Sequence, residues 1–111
     1  MLDKLFCNAT IVNHCSRFRA NVGTRDGMIC YLGTDFPECR EQIDLTGRYL
    51  LPGCIDSHLH FQDLGYTDRE DLEHGSAACA AGGVTTGISM PMNDPPAVDL
   101  ESYAVSERAY A

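Results

Sequence analysis

An α/β chain in two parts is predicted, and three observations carry that expectation. Up to about residue 51, short β-forming runs alternate with Gly, Asn and Asp turns. Pro52-Gly53 then marks a change of character. Beyond it the order is strand, helix, strand, helix, at the spacing of a βαβ crossover with parallel strands. The expected parts are 1–51, a small β-domain, and 52–111, a βα segment.

The elements follow in order. Leu5 to Asn13 is rich in β-formers and ends in a polar turn. Arg19 to Thr24 and Met28 to Leu32 flank Asp26-Gly27, a strong two-residue hairpin signal. Gln42 to Leu45 is a further short strand, followed by a turn at Thr46-Gly47 and the apolar run Tyr49-Leu50-Leu51. These first strands are expected to be short and antiparallel. Cys54 to Phe61 reads as a buried-type strand with a polar residue at every second position. Thr67-Asp68-Arg69-Glu70 fits a capping box, predicting a helix from about Asp68 to Ala81 that stops at Gly82-Gly83. The small side chains from Ser76 to Ala81 let that helix lie close on a sheet. Val84 to Met90 is the next strand, and a last helix starts near Asp99 and is still running at Ala111.

Composition narrows the function classes. The formal net charge is −8 and Lys4 is the single lysine, so neither a nucleic-acid nor a membrane partner is expected. No stretch approaches the ~18 apolar residues of a membrane span. Met1-Leu2-Asp3-Lys4 lacks the apolar core of a leader peptide. The six cysteines contain no C-x-x-C pair, so reduced thiols in a cytoplasmic protein are expected, with Cys54 and Cys79 packed in the core.

The chemistry sits in His58-x-His60. Strand alternation puts Asp56, His58, His60 and Gln62 on one face. Two imidazoles near the carboxyl end of a parallel strand can hold one metal ion, zinc above all. The competing reading is a pair of polar strand-end histidines with no ligand role. Asp56 can orient a ligand through a hydrogen bond from behind. His14 and His74 have no partner at ligand spacing and read as surface histidines. Tyr103 and Tyr110, seven apart, read as a packing stripe.

Leu51-Pro52-Gly53-Cys54-Ile55-Asp56-Ser57-His58-Leu59-His60 resembles the PG-x-[IVL]-D-x-H-x-H signature of the amidohydrolase superfamily. The likeness continues through Glu70 to Ser76 and Ala80 to Thr86, and ends in Met90-Pro91-Met92-Asn93 followed by Pro95-Pro96. The order and spacing resemble those of the cyclic amidohydrolases: allantoinases, dihydroorotases and hydantoinases. What precedes resembles the small β-domain ahead of the barrel in these enzymes.

That resemblance implies a (β/α)8 barrel, here incomplete, with its first two βα units present. A full barrel takes ~250 residues. It implies His58 and His60 as ligands of a usually binuclear zinc centre, with other divalent metals possible, which activates water and polarises a cyclic amide or ureide. It implies Gln62 and Asn93 as substrate-binding residues and a homo-oligomeric parent enzyme. Gln62 stands where dihydroorotases carry an arginine, and Met90-Pro91-Met92-Asn93 resembles the Met-Pro-Leu-Asn of allantoinases. Asp63-Leu64-Gly65 departs from the Glu-Pro-Gly of allantoinases, and Arg69 to Leu72 is closer to dihydroorotases. The lean is to allantoinase, with a dihydroorotase- or hydantoinase-like hydrolase as the alternative. The family's later ligands and catalytic aspartate would fall beyond Ala111, so no catalytic residue is expected within the 111 residues and the segment alone is expected to be inactive. A non-catalytic relic or interaction module is the reading from a different class, and a simple two-histidine metal binder is a third.

Overall fold

The computed structural model describes residues 1–110, and the chain divides into two compact units, Met1–Pro52 and the part from Gly53 onward. The first unit is built on β1 (Leu2–Val12), flanked by β2 (Arg17–Arg25) and then β3 (Met28–Gly33). β1 and β2 are antiparallel, as are β2 and β3. The second hairpin closes at Asp26-Gly27, with φ of 51° and 75°. Both central residues are left-handed, which is what a type I′ turn demands.

The expected all-antiparallel pattern does not hold. β4 (Cys39–Asp44) and β5 (Tyr49–Leu50) both run parallel to β1. The cause is the connection 34–38, which carries the chain from the β3 edge to the far side of β1, where Leu2 N–H meets the Glu38 carbonyl at 2.9 Å. β1 is also 11 residues long rather than short, because it pairs on both sides.

A local irregularity in β1 organises this unit. Between Phe6 and Ala9 the register with β2 slips, three steps on β1 facing two on β2. Asn8 takes a left-handed conformation there, φ 61°. Its N–H donates to Asn21 Oδ1 at 2.8 Å, and its side-chain Nδ2 donates to Asp44 Oδ1 at 2.9 Å. Asn21, 3% exposed, uses its own Nδ2 to hold the carbonyls of Thr34 (3.3 Å) and Asp35 (2.8 Å), where the crossing segment leaves β3. Asp44 Oδ1 also accepts the N–H and Oγ1 of Thr46. The Asn8 amide and then the Thr46 donors hold the Asp44 carboxyl below the usual carboxylate range. Beside this polar network lie the buried side chains Leu2, Leu5, Cys7, Ala9, Ala20 and Val22. Burial, followed by the neighbouring Cys39 and Asp44, pushes the Cys7 thiol up.

The second unit contains β6 (Cys54–Leu59), α1 (Leu72–Ala81), β7 (Val84–Ser89) and α2 (Leu100–Tyr110). β6 and β7 pair in parallel, the arrangement expected of a βαβ crossover, and α1 packs on β7. Gly75 is buried on α1; a Cβ there would stand 2.6 Å from the Phe61 ring. The helix begins later than predicted. Thr67 belongs to a turn closed by the Arg69 N–H on the Tyr66 carbonyl, and the cap is Asp71, whose Oδ1 accepts the His74 N–H at 2.8 Å. Both sites match local cap chemistry, but only Asp71 directly precedes the helical run. The stop at Gly82-Gly83 is as expected: Gly83 is left-handed, φ 85°, and returns its N–H to the Ala80 carbonyl. α2 starts one residue after Asp99, whose Oδ1 accepts the Ser102 N–H at 2.8 Å, while Ser102 Oγ accepts the N–H groups of Val98 and Asp99. Ala111, expected within this helix, lies outside the described residues.

β6 is mostly exposed rather than buried, because its strand neighbour among the described residues is β7 alone and α1 covers β7. Cys54 is exposed for the same reason, not packed in a core, and Cys79 is half-buried. The tyrosine stripe is only half used: Tyr110 leans on Phe61, ring centroids 6.3 Å apart, while Tyr103 is exposed. All six cysteines are free. No helix among the described residues is long and apolar enough to cross a membrane.

Two predictions follow from these local networks. Asn21→Ala strands the Asn8 N–H and two carbonyls, so it should cost about 2 kcal/mol or more in urea unfolding; a loss within error of zero refutes the bracing role. The second concerns His74, whose Nδ1 lies 2.7 and 2.9 Å from the Asp71 carboxylate oxygens. The hydrogen bond that the His74 ring donates to Asp71, then the Asp71 charge, raises the His74 pKa, while the His74 backbone N–H, then its ring, lowers that of Asp71. The His74 contribution is therefore complete below the ordinary imidazole range and fades as pH rises through its raised value. The Asp71 contribution is complete above the ordinary carboxylate range and fades as pH falls through its lowered value. Cap stability should peak between the two, and Asp71→Asn should return the His74 titration, followed by NMR, toward that of a free imidazole.

Candidate metal site

The site lies at the carboxyl end of the parallel pair β6–β7. In parallel α/β sheets this is the end where ligands bind, because the loops that follow the strands gather there. Along the pair, Asp56 faces Gly87 and Leu59 faces Ser89, so β6 takes three steps where β7 takes two. β6 thus bulges at Ser57-His58. The bulge frees the His58 N–H from regular pairing, and Asp56 Oδ1 accepts it at 3.0 Å. The Met90 N–H then donates to the Leu59 carbonyl at 2.8 Å and closes the strand end.

His58 and His60 come together just there. Their rings meet edge to face, centroids 5.2 Å apart at 65°, and both side chains are exposed. The two Nε2 atoms stand 3.3 Å apart. Ligand nitrogens about 2.0–2.1 Å from a tetrahedral zinc are separated by about 3.3–3.4 Å. The pair therefore has the bite that two cis ligands of one zinc ion require, and the donor chemistry suits zinc. Among the described residues no third His, Cys, Asp or Glu joins them.

The other residues singled out from the sequence lie around this pair in different roles. Asp56 spends its observed hydrogen bond on the His58 backbone, not on an imidazole. Gln62 is half-buried, and its side-chain Oε1 is buried with no hydrogen-bond partner. Its main-chain carbonyl accepts the Tyr66 N–H at 2.9 Å, folding the loop after β6 back on itself. Asn93, in the loop after β7, donates Nδ2 to Ser106 Oγ of α2 at 2.6 Å. No hydrogen bond joins Gln62 or Asn93 to either histidine among the described residues. The two loops do meet, through the Asp94 N–H on the Leu64 carbonyl at 3.1 Å.

Sequence reasoning missed Tyr110 as a brace: its hydroxyl donates to the Asp63 carbonyl at 3.2 Å and lies 3.0 Å from Ser89 Oγ. It links α2 to the end of β7 and to the loop after β6. No local signal marks such a long-range contact. It also missed the Asp71–His74 pair, which the Asp-x-x-His spacing ahead of a helical run could have revealed. A hollow of about 560 Å³ lies between the end of β7 and α2, lined by Ser89, Pro91, Asn93, Tyr103, Ser106 and Tyr110 among others. Neither His58 nor His60 lines it, so it does not locate the chemistry.

No protein-family model matches the chain. Individual relatives do. An allantoinase from Rubrobacter xylanophilus is 45% identical over 86 residues, covering 76% of this chain and 19% of its own length. A dihydroorotase from Methanothermobacter thermautotrophicus is 44% identical over 77 residues, covering 69% of this chain and 18% of its own. Among solved structures, the L-hydantoinase (dihydropyrimidinase) from Arthrobacter aurescens superposes with a TM-score of 0.86 at 29% identity, over 98% of this chain and 25% of its own. The chain thus spans about a fifth of the length of the curated relatives it matches. With relatives of all three kinds along its length, the chain belongs to the cyclic amidohydrolases of the amidohydrolase superfamily.

Proposed function

We propose that this chain carries one half-site of a zinc centre in an enzyme that hydrolyses the carbon–nitrogen bond of a small cyclic amide. The observation that carries the reading is the 3.3 Å separation of the His58 and His60 Nε2 atoms at the carboxyl end of β6. In this reading residues 1–51 are the small β-domain, and 52–111 begin the barrel. When bound, zinc supplies Lewis-acid activation of water and of the scissile carbonyl. His58 and His60 would hold the metal through Nε2. Asp56 keeps the backbone under His58 in place, and Gln62 holds a buried, unpaired amide oxygen in the loop after β6.

The substrate we favour is a cyclic ureide of the allantoin type. Gln62 carries no charge with which to pair a substrate carboxylate in a bidentate fork, so an anionic ring such as dihydroorotate lacks its strongest anchor. The near-equal likeness to an allantoinase and a dihydroorotase supports the group as a whole rather than either member. The same reading takes the enzyme to be cytoplasmic and homo-oligomeric, with no nucleic-acid partner.

Two outcomes are expected. Titrated with Co²⁺ or Zn²⁺ by calorimetry, the chain should bind metal, and His58→Ala or His60→Ala should each weaken binding at least about tenfold; equal affinity in all three refutes the half-site. In the protein isolated from its source, hydrolysis of allantoin should outrun that of dihydroorotate. Gln62→Arg should then shift the ratio toward dihydroorotate by about tenfold. An unchanged ratio removes Gln62 from substrate selection.

A further inference from the structure

We propose that Asp56 is a positioning residue: by accepting the N–H of His58 it locks the β6 bulge, and the bulge sets the two imidazoles 3.3 Å apart. The purpose of that spacing rests on the zinc reading above; the mechanism rests on the backbone alone. In a regular strand alternate residues stand about 6.6 Å apart along the chain, and their side chains leave it roughly parallel. Two imidazoles at such positions converge on one ion only when their side chains tilt toward each other, and a bend in the strand favours that tilt. Here β6 takes three steps from Asp56 to Leu59 against two steps of β7, from Gly87 to Ser89. An extra residue of this kind bends its strand and re-aims the side chains beside it.

A bulge leaves an N–H without its ladder partner, and that N–H has to be satisfied elsewhere. The carboxylate two residues upstream is within reach, the same geometry by which Asp captures a nearby backbone N–H in a turn. Asp56 makes no hydrogen bond to either imidazole, so it acts on the pair through the chain and not through ring orientation. An acceptor oxygen is all this role needs. The proposal therefore separates Asp56→Asn, which keeps the oxygen, from Asp56→Ala, which removes it.

The test uses the full 111-residue chain, ¹⁵N-labelled and metal-free. In Asp56→Ala, exchange of the His58 amide should accelerate about tenfold, and the cross-relaxation between the His58 and His60 ring protons should disappear. In Asp56→Asn both should stay near the wild-type values. Unchanged exchange and unchanged ring contact in Asp56→Ala overturn the proposal. If Asp56→Ala loses the β6–β7 pairing altogether, Asp56→Asn decides: wild-type exchange and ring contact support the role, and loss of either overturns it. Co²⁺ titration of the same three proteins then separates this inference from the zinc reading. Affinity about tenfold lower in Asp56→Ala and retained in Asp56→Asn supports both. A wild-type chain that takes up no Co²⁺ while the metal-free results hold overturns the zinc reading and leaves the backbone role of Asp56 standing.

Discussion

A backbone N–H that loses its partner must find another, and both units of this chain are arranged around one such group. In β1 the slipped residue is Asn8, and its N–H goes to the side chain of Asn21. In β6 it is His58, and its N–H goes to the side chain of Asp56. In each unit one extra residue bends a strand, and one side-chain oxygen keeps the bend from costing an unsatisfied donor. The consequences differ with the surroundings. The Asn8 bulge lies beside the buried face of its sheet and lets β1 take β4 and β5 as successive partners on the same side. The His58 bulge lies at an exposed strand end and turns two imidazoles toward one point.

Elements defined by local chemistry were legible in the sequence. Asp26-Gly27 requires two left-handed residues, and few dipeptides other than Asp-Gly and Asn-Gly provide them cheaply. Gly83 ends α1 by the same reasoning. The direction of β4 and β5 was not legible, because it depends on where segment 34–38 crosses, and that crossing is held by Asn21 from another strand. The start of α1 was misplaced because Thr67 and Asp71 offer similar cap chemistry. The choice between them is made by the turn through Tyr66 and Arg69 and by the packing of Gly75 against Phe61.

The site was legible as residue types but not as geometry. Alternation brings His58 and His60 to one side, yet it gives no hint that their nitrogens approach to 3.3 Å, since the bulge responsible depends on the register with β7. Gln62 and Asn93 show the opposite case. Their positions in the motif suggested substrate contact, while within the described residues Asn93 is engaged by Ser106 and Gln62 keeps a buried oxygen free. The family likeness accounts for the motif order along the chain, and the local hydrogen bonds account for how the motif is shaped.

The state of Cys7 has a practical consequence. Its side chain, on β1, is fully buried in the first unit, while Cys15, Cys30 and Cys54 are exposed. A thiol reagent reacts with thiolate that it can reach, so modification of Cys7 has to wait for the first sheet to open. Pulsed alkylation read by mass spectrometry therefore uses the exposed cysteines as an internal clock and Cys7 as a gauge of breathing in the β-unit. The chain carries this reporter in its native sequence, with no label to add and no residue to replace.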